Sequence, residues 1–219
     1  MKLYNRYLDL SVQLKNTMTN ILVLESPKMY RDIVQNLYQS IEEENEDWIF
    51  SEDEKILKKS ASVDVVNSLF SLDFENRKMQ KKVLDDLYEA AMDAEHYVKT
   101  QKLLSDLEAY FYELEWELPY TVKVEIADFR NILKAGIMGL VSPDDLMEKF
   151  CEYIKISGRL LNSKIIVLIG IQDCFDEKEW QQLEEAAMYE GVTVLCIEKH
   201  RHFNGGNEVI VDSDGCRVV

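Results

Sequence analysis

The sequence predicts an α/β fold with a parallel-containing sheet, and beside it a long helical arm. An unbroken apolar run, Ile165–Ile169, and a second apolar run, Val192–Ile197, flank an amphipathic stretch from Glu177 to Tyr189. Continuous apolar strands are buried on both faces, as in parallel sheets covered by helices. Two such strands around one helix form a βαβ unit, whose crossover is expected to be right-handed. The arm is predicted from the absence of glycine and proline between Glu75 and Leu118. Across that stretch apolar residues recur near every third or fourth position, through Val83, Leu87, Ala90, Ala94, Tyr97, Leu104, Leu107, Phe111 and Leu114.

The elements follow in order. Met1 to Leu14 reads as one or two strands, and Ile21 to Leu24 as a short apolar strand. A helix runs from about Met29 to Ile41, with Ser26 as N-cap and Pro27 in the first turn. The loop before it contains no glycine, and the chain has no GxxxxGK[ST], so a phosphate cradle is not expected. Glu42 to Asp53 reads as an acidic, turn-rich segment around Trp48-Ile49-Phe50. Glu54 to Ser62 reads as strand and loop, and Val63 to Leu69 as a short helix.

After the arm, Thr121 to Ile126 is extended and Asp128 to Ala135 helical. Ser142-Pro143-Asp144-Asp145 opens a helix to about Leu161 by capping logic. The βαβ unit comes next, its helix stopped by Gly191. Glu208–Val211 and Cys216–Val219 form a terminal hairpin. The head is thus expected to comprise residues 1–70 and 120–219, and the arm residues 71–119.

The 219 residues carry a net charge of −16 and are 47% apolar. No apolar run is long enough to span a membrane, and the first residues lack a signal-peptide core, so no membrane partner and a cytoplasmic location are expected. Cys151, Cys174, Cys196 and Cys216 form no CxxC pair, and they read as structural thiols. His200 and His202 form an HxH in a cationic loop, better read as exposed than as metal ligands. No nucleophile–base arrangement stands out.

Glu113, Glu115 and Glu117 alternate with Leu114, Trp116 and Leu118. As a strand this segment puts three carboxylates on one face; as a helix end, Glu113 and Glu117 share a side. Like charges held close favour a cation, and hard oxygens suit Ca²⁺. Glu125 and Asp128 follow closely enough to fold back. A solvated acidic surface is the plainer alternative. Basic residues cluster at Lys55/Lys58/Lys59, Lys78/Lys81/Lys82, Lys123/Arg130/Lys134 and Lys155/Arg159/Lys164. None is interleaved with aromatics, so any nucleic-acid contact would run through phosphate and ignore base sequence.

Several stretches together resemble the CRISPR-associated Csn-two family, the adaptation protein of type II-A systems. They are Asp173-Cys174-Phe175-Asp176-Glu177-Lys178-Glu179, the strand Val192–Ile197 ending in Glu198, Asp128–Ala135, and Glu113–Leu118. The resemblance implies a degenerate P-loop, ABC-ATPase-like head. It implies a non-catalytic homotetrameric ring that binds double-stranded DNA, prefers its ends, and works with the CRISPR integrase and effector proteins in spacer acquisition during antiviral defense. It implies Ca²⁺ held by Glu113, Glu115, Glu117, Glu125 and Asp128. The basic residues assigned to DNA are Lys123, Arg130, Lys134, Lys155, Arg159 and Lys164. Here the run is interrupted by Leu118-Pro119-Tyr120, unlike the more continuously acidic family pattern. Two other readings stay open: a divalent-metal nuclease using the Glu113–Glu125 carboxylates, and an interaction protein whose long helix pairs with a partner helix.

Overall fold

A computed structural model describes residues 1–123, 128–136, 139–201 and 206–218. The chain forms two compact units. One comprises Met1–Asp73 with Ser142–Val219, the other Phe74–Val141.

The first unit is built on a six-stranded sheet. Its strands are β3 (Asn20–Leu24), β6 (Val63–Val66), β7 (Ile165–Ile169), β8 (Thr193–Glu198), β9 (Asn207–Val211) and β10 (Arg217–Val218), in the order β10-β9-β3-β8-β7-β6. All neighbours run parallel except the β9–β10 pair, the expected terminal hairpin. Every residue of β3, β7 and β8 is buried, as strands that are largely apolar and covered on both faces require. A second, antiparallel sheet joins β1 (Lys2–Asn5), β2 (Leu10–Gln13), β4 (Trp48–Glu52) and β5 (Lys55–Ile56) in the order β2-β1-β4-β5.

Helix α1 (Pro27–Glu43) and the small sheet cover one face of the large sheet. Leu3, Ile33, Leu37, Trp48 and Phe50 share one core with Leu22, Val167, Leu195 and Ile197. Ile166, Leu168, Val194 and Cys196 alternate to the other face and are also buried. There α6 (Leu146–Arg159) packs on α7 (Glu177–Glu190), and Phe150, Ile154, Trp180 and Leu183 are buried. Sequence punctuation sets these helices. Ser26 caps α1, Asp145 caps α6, and Asp176 forms a capping box with Glu179. Gly191 ends α7 at φ 67°, where a side chain would be strained.

Two expectations for this unit are corrected. Residues 48–52 are a central strand of the small sheet rather than a turn-rich segment, with Trp48 and Phe50 fully buried and stacked. Residues 63–66 are β6 rather than a helix. Val63 and Val66 turn inward. The intervening Asp64 accepts hydrogen bonds from Tyr153 (2.7 Å) and Ser157 (3.2 Å) of α6, which offsets the loss of water around a polar residue on a covered sheet face. A four-residue helix, α2 (Lys59–Ser62), leads directly into it.

The second unit is helical, with α3 (Arg77–Met92), α4 (Tyr97–Glu115) and α5 (Phe129–Ala135). The long periodic stretch is two helices, broken where Asp93 accepts the backbone N–H groups of Glu95 and His96. Residues 120–141, assigned to the head from sequence, fall in this unit because α5 packs on α3. All four cysteine thiols are free. No helix among the described residues is long and apolar enough to cross a membrane.

Candidate functional site

In the first unit, α1 leaves β3 for one face of the sheet, and α7 follows β7 on the other. Strand β8 lies between β3 and β7. Its carboxyl end therefore stands at the switch point where open α/β sheets hold ligands. Glu198 ends that strand, only 3% exposed. Its Oε1 accepts the backbone N–H of Ile171 (3.2 Å) and Gln172 (3.1 Å), fixing the turn after β7. Burial pushes the carboxyl up to about 7. The two N–H bonds oppose that rise, and neighbouring Asp173 adds to it. The Lys199 ammonium sits 4.9 Å from the centre of the Tyr30 ring. Gly170, at φ 63°, gives the Tyr30 hydroxyl its space, since a Cβ there would lie 2.8 Å from that oxygen.

A raised carboxyl pKa gives a signed prediction. Glu198 carries its full contribution to stability below the ordinary carboxylate range, and loses it as pH rises through about 7. Glu198→Gln is therefore expected to gain melting temperature relative to the native chain between pH about 5 and about 8. Parallel melting curves across that range would contradict the assignment.

The same edge shows why the β3–α1 connection makes no phosphate cradle. Only Glu25 and Ser26 separate strand from helix. Ser26 Oγ accepts the Met29 N–H at 3.4 Å, and Pro27 at the helix start has no N–H to offer. A phosphate needs several free, converging N–H groups, which glycine-rich loops supply.

In the helical unit the acidic run is the last turn of α4 and the turn after it. Leu118 still bonds back to Glu115 through the main chain. Helical geometry sends Glu113 and Glu115 to different sides, so three carboxylates do not line one face as in a strand. Glu115 Oε1 accepts the Val122 N–H at 2.8 Å and so folds the loop back on the helix end. Asp128 is the N-cap of α5, its Oδ1 accepting the Arg130 N–H at 3.0 Å. Glu125 lies outside the described residues, as does His202. Among the described residues no group of three or more His, Cys, Asp or Glu side chains is arranged to hold a metal ion.

Several of the basic residues are engaged by acidic neighbours. Arg130 pairs with Asp85 at 2.6 Å and lies 4.4 Å from the Tyr88 ring centre, which pins α5 to α3. Lys155 pairs with Glu152 at 2.9 Å, Arg159 with Glu190 at 2.6 Å, and Lys164 with Glu52 at 3.7 Å. Lys123 and Lys134 are exposed. The first two turns of α3 present Lys78, Lys81 and Lys82, all exposed, and no ion pair among the described residues engages them. Their i, i+3, i+4 spacing puts them on one helix face. The sequence showed this cluster but gave no reason to prefer it. The preference comes from the acidic partners that the fold supplies to Arg130, Lys155, Arg159 and Lys164.

A family model described as CRISPR-associated protein (Cas_Csn2) matches residues 38–215, which takes in the whole helical unit and most of the α/β unit. No curated protein matches the chain.

Proposed function

The chain belongs to the CRISPR-associated Cas_Csn2 family, and from that premise we propose that it is a non-catalytic, double-stranded-DNA-binding protein of CRISPR spacer acquisition. The observation that carries the reading is the family match, which runs through both units rather than through the sheet alone. In this reading four copies close into a ring, the ring loads at duplex ends, and the CRISPR integrase and effector proteins are its partners. The α/β unit is a degenerate P-loop head that does not use ATP. The glycine-free β3–α1 turn supports this, because Ser26 and Pro27 remove the donors a triphosphate needs.

The chain's net charge of −16 works against binding a polyanion. Two features reduce that conflict. Lys78, Lys81 and Lys82 concentrate positive charge on one face of α3, where phosphates can be met without reading bases. Calcium at the Glu113–Glu125 segment would neutralise part of the local acidity. The donor set fits that ion in kind, since carboxylate oxygens are its usual ligands. It fits only in part by count. Glu113 and Glu117 can each contribute oxygens, Glu115 has one oxygen committed to Val122, and Asp128 has one committed to its helix cap. Calcium would supply charge neutralisation and no chemistry.

The test is a duplex-binding titration in calcium and in chelator, on the native chain and on the Glu115→Gln/Glu117→Gln variant. Calcium is expected to strengthen binding by the native chain and to do little for the variant. Equal affinities in all four conditions would remove calcium from the account. The same duplex incubated with Mg²⁺ or Mn²⁺ is expected to stay intact. Cleavage lost in the variant would establish the nuclease reading instead.

A further inference from the structure

The lysine face of α3 carries a carboxylate in its next turn. Lys78, Lys81, Lys82 and Asp85 follow at steps of three, one and three. Asp85 therefore stands four residues after Lys81 and three after Lys82, the spacings at which side chains meet on a helix surface. The following carboxylate, Asp86, has such a spacing to Lys82 alone. An unengaged carboxylate at position 85 would draw one of these lysines into an ion pair. It would also repel the phosphates that the lysines are to meet.

In the fold Asp85 is taken by another cation. Arg130 of α5 reaches α3, and its Nη1 donates to Asp85 Oδ1 at 2.6 Å. The same guanidinium lies 4.4 Å from the centre of the Tyr88 ring, nearly one turn further along α3. Two contacts thus fix the planar group. The main chain behind it is fixed as well, because Asp128 caps α5 by accepting the Arg130 N–H at 3.0 Å. The two side chains are 37% and 28% exposed, so salt screens this pair less than one in open water. A lysine placed ahead of an acid is the weaker orientation for a pair within a helix. Arg130 is therefore the better partner for Asp85, and the lysines are left to the solvent.

We propose that Arg130 is a positioning residue for duplex binding: by engaging Asp85 it keeps Lys81 and Lys82 available to phosphate, without meeting a phosphate itself. The contact between α5 and α3 turns a stretch of mixed charge into a basic face. The proposal rests on the α3 surface of the reading above and names the residue that sets its charge.

The experiment measures duplex affinity against salt concentration, in calcium throughout. Arg130→Met keeps an unbranched apolar stem beside Tyr88 and removes the charge. Asp85 then turns to the lysines. The log–log salt slope is expected to fall by about 1 for each copy that contacts the duplex, with binding weakened alike on all sequences. Asp85→Asn/Arg130→Met is expected to return slope and affinity to native. The ion pair is absent from both variants, so a merely structural role for Arg130 would leave the double variant as weak as the single one. A direct contact between Arg130 and phosphate would do the same. A double variant that stays weak, or an Arg130→Met chain that binds as the native one does, overturns the proposal. Lys78→Ala/Lys81→Ala/Lys82→Ala separates it from the reading beneath it. A native slope in that triple variant overturns the α3 surface itself. A reduced slope there, with no rescue in the double variant, overturns only the role of Arg130.

Discussion

Trp48→Ala is expected to destabilise the chain by about 3–5 kcal/mol. Trp48 is fully buried in β4, between β1 and β5, and stacks on Phe50 with ring centres 6.0 Å apart. It belongs to the core that joins α1 and the small sheet to the large one. Its removal empties a space that strands paired on both sides cannot collapse to fill. Trp48→Phe makes a sharp control. The indole Nε1 has no hydrogen-bond partner, so the smaller ring loses volume but no bond, and an unsatisfied buried donor disappears. The loss should fall to about 1.5 kcal/mol or less. Urea unfolding of the three chains measures this through the midpoint, with the slope unchanged. An alanine variant within about 1 kcal/mol of the native chain would contradict the packing described.

That strand also shows where sequence legibility ended. Trp48 and Phe50 alternate inward, but Glu42 to Asp47 just before them hold five carboxylates and no other apolar residue. The composition of a solvated turn therefore masked a buried strand. Residues 63–66 failed differently. Four residues are too few to separate a period of 2 from one of 3.6. The partners that make Asp64 tolerable sit on α6, roughly ninety positions away. By contrast β7, β8 and α7 were readable because their signals are local. Apolar runs require burial on both faces, Asp176 and Glu179 start a helix, and Gly191 ends one. The same divide holds at the candidate site. The carboxylates and lysines can be counted in the sequence. That Arg159 is paired with Glu190 depends on α6 packing against α7, which no spacing within either helix reveals.

For duplex DNA the largest loss is expected from Lys78→Ala/Lys81→Ala/Lys82→Ala. Each lysine lies on the exposed face of the first two turns of α3, and none is held by an acidic neighbour among the described residues. Each can therefore displace a counterion from DNA without first breaking an ion pair. Removing one phosphate contact weakens binding uniformly across sequences and lowers the log–log salt slope by about 1. The triple variant should lower it by about 3 for each copy that contacts the duplex. The companion variant Lys155→Ala/Arg159→Ala/Lys164→Ala removes cations already paired with Glu152, Glu190 and Glu52, and its slope should stay close to native. A steeper loss in the companion than in the α3 variant would move the DNA surface from α3 to α6.

A ring closed on duplex DNA is the central claim, and topology tests it most directly. The measurement is equilibrium binding, in calcium and at one salt concentration, to a linear duplex and to a covalently closed circle of the same sequence and length. A ring that loads at ends is expected to bind the linear form and to leave the closed circle free until one cut opens it. Equal affinity for the two forms would contradict the account, and the chain would then hold DNA from one side.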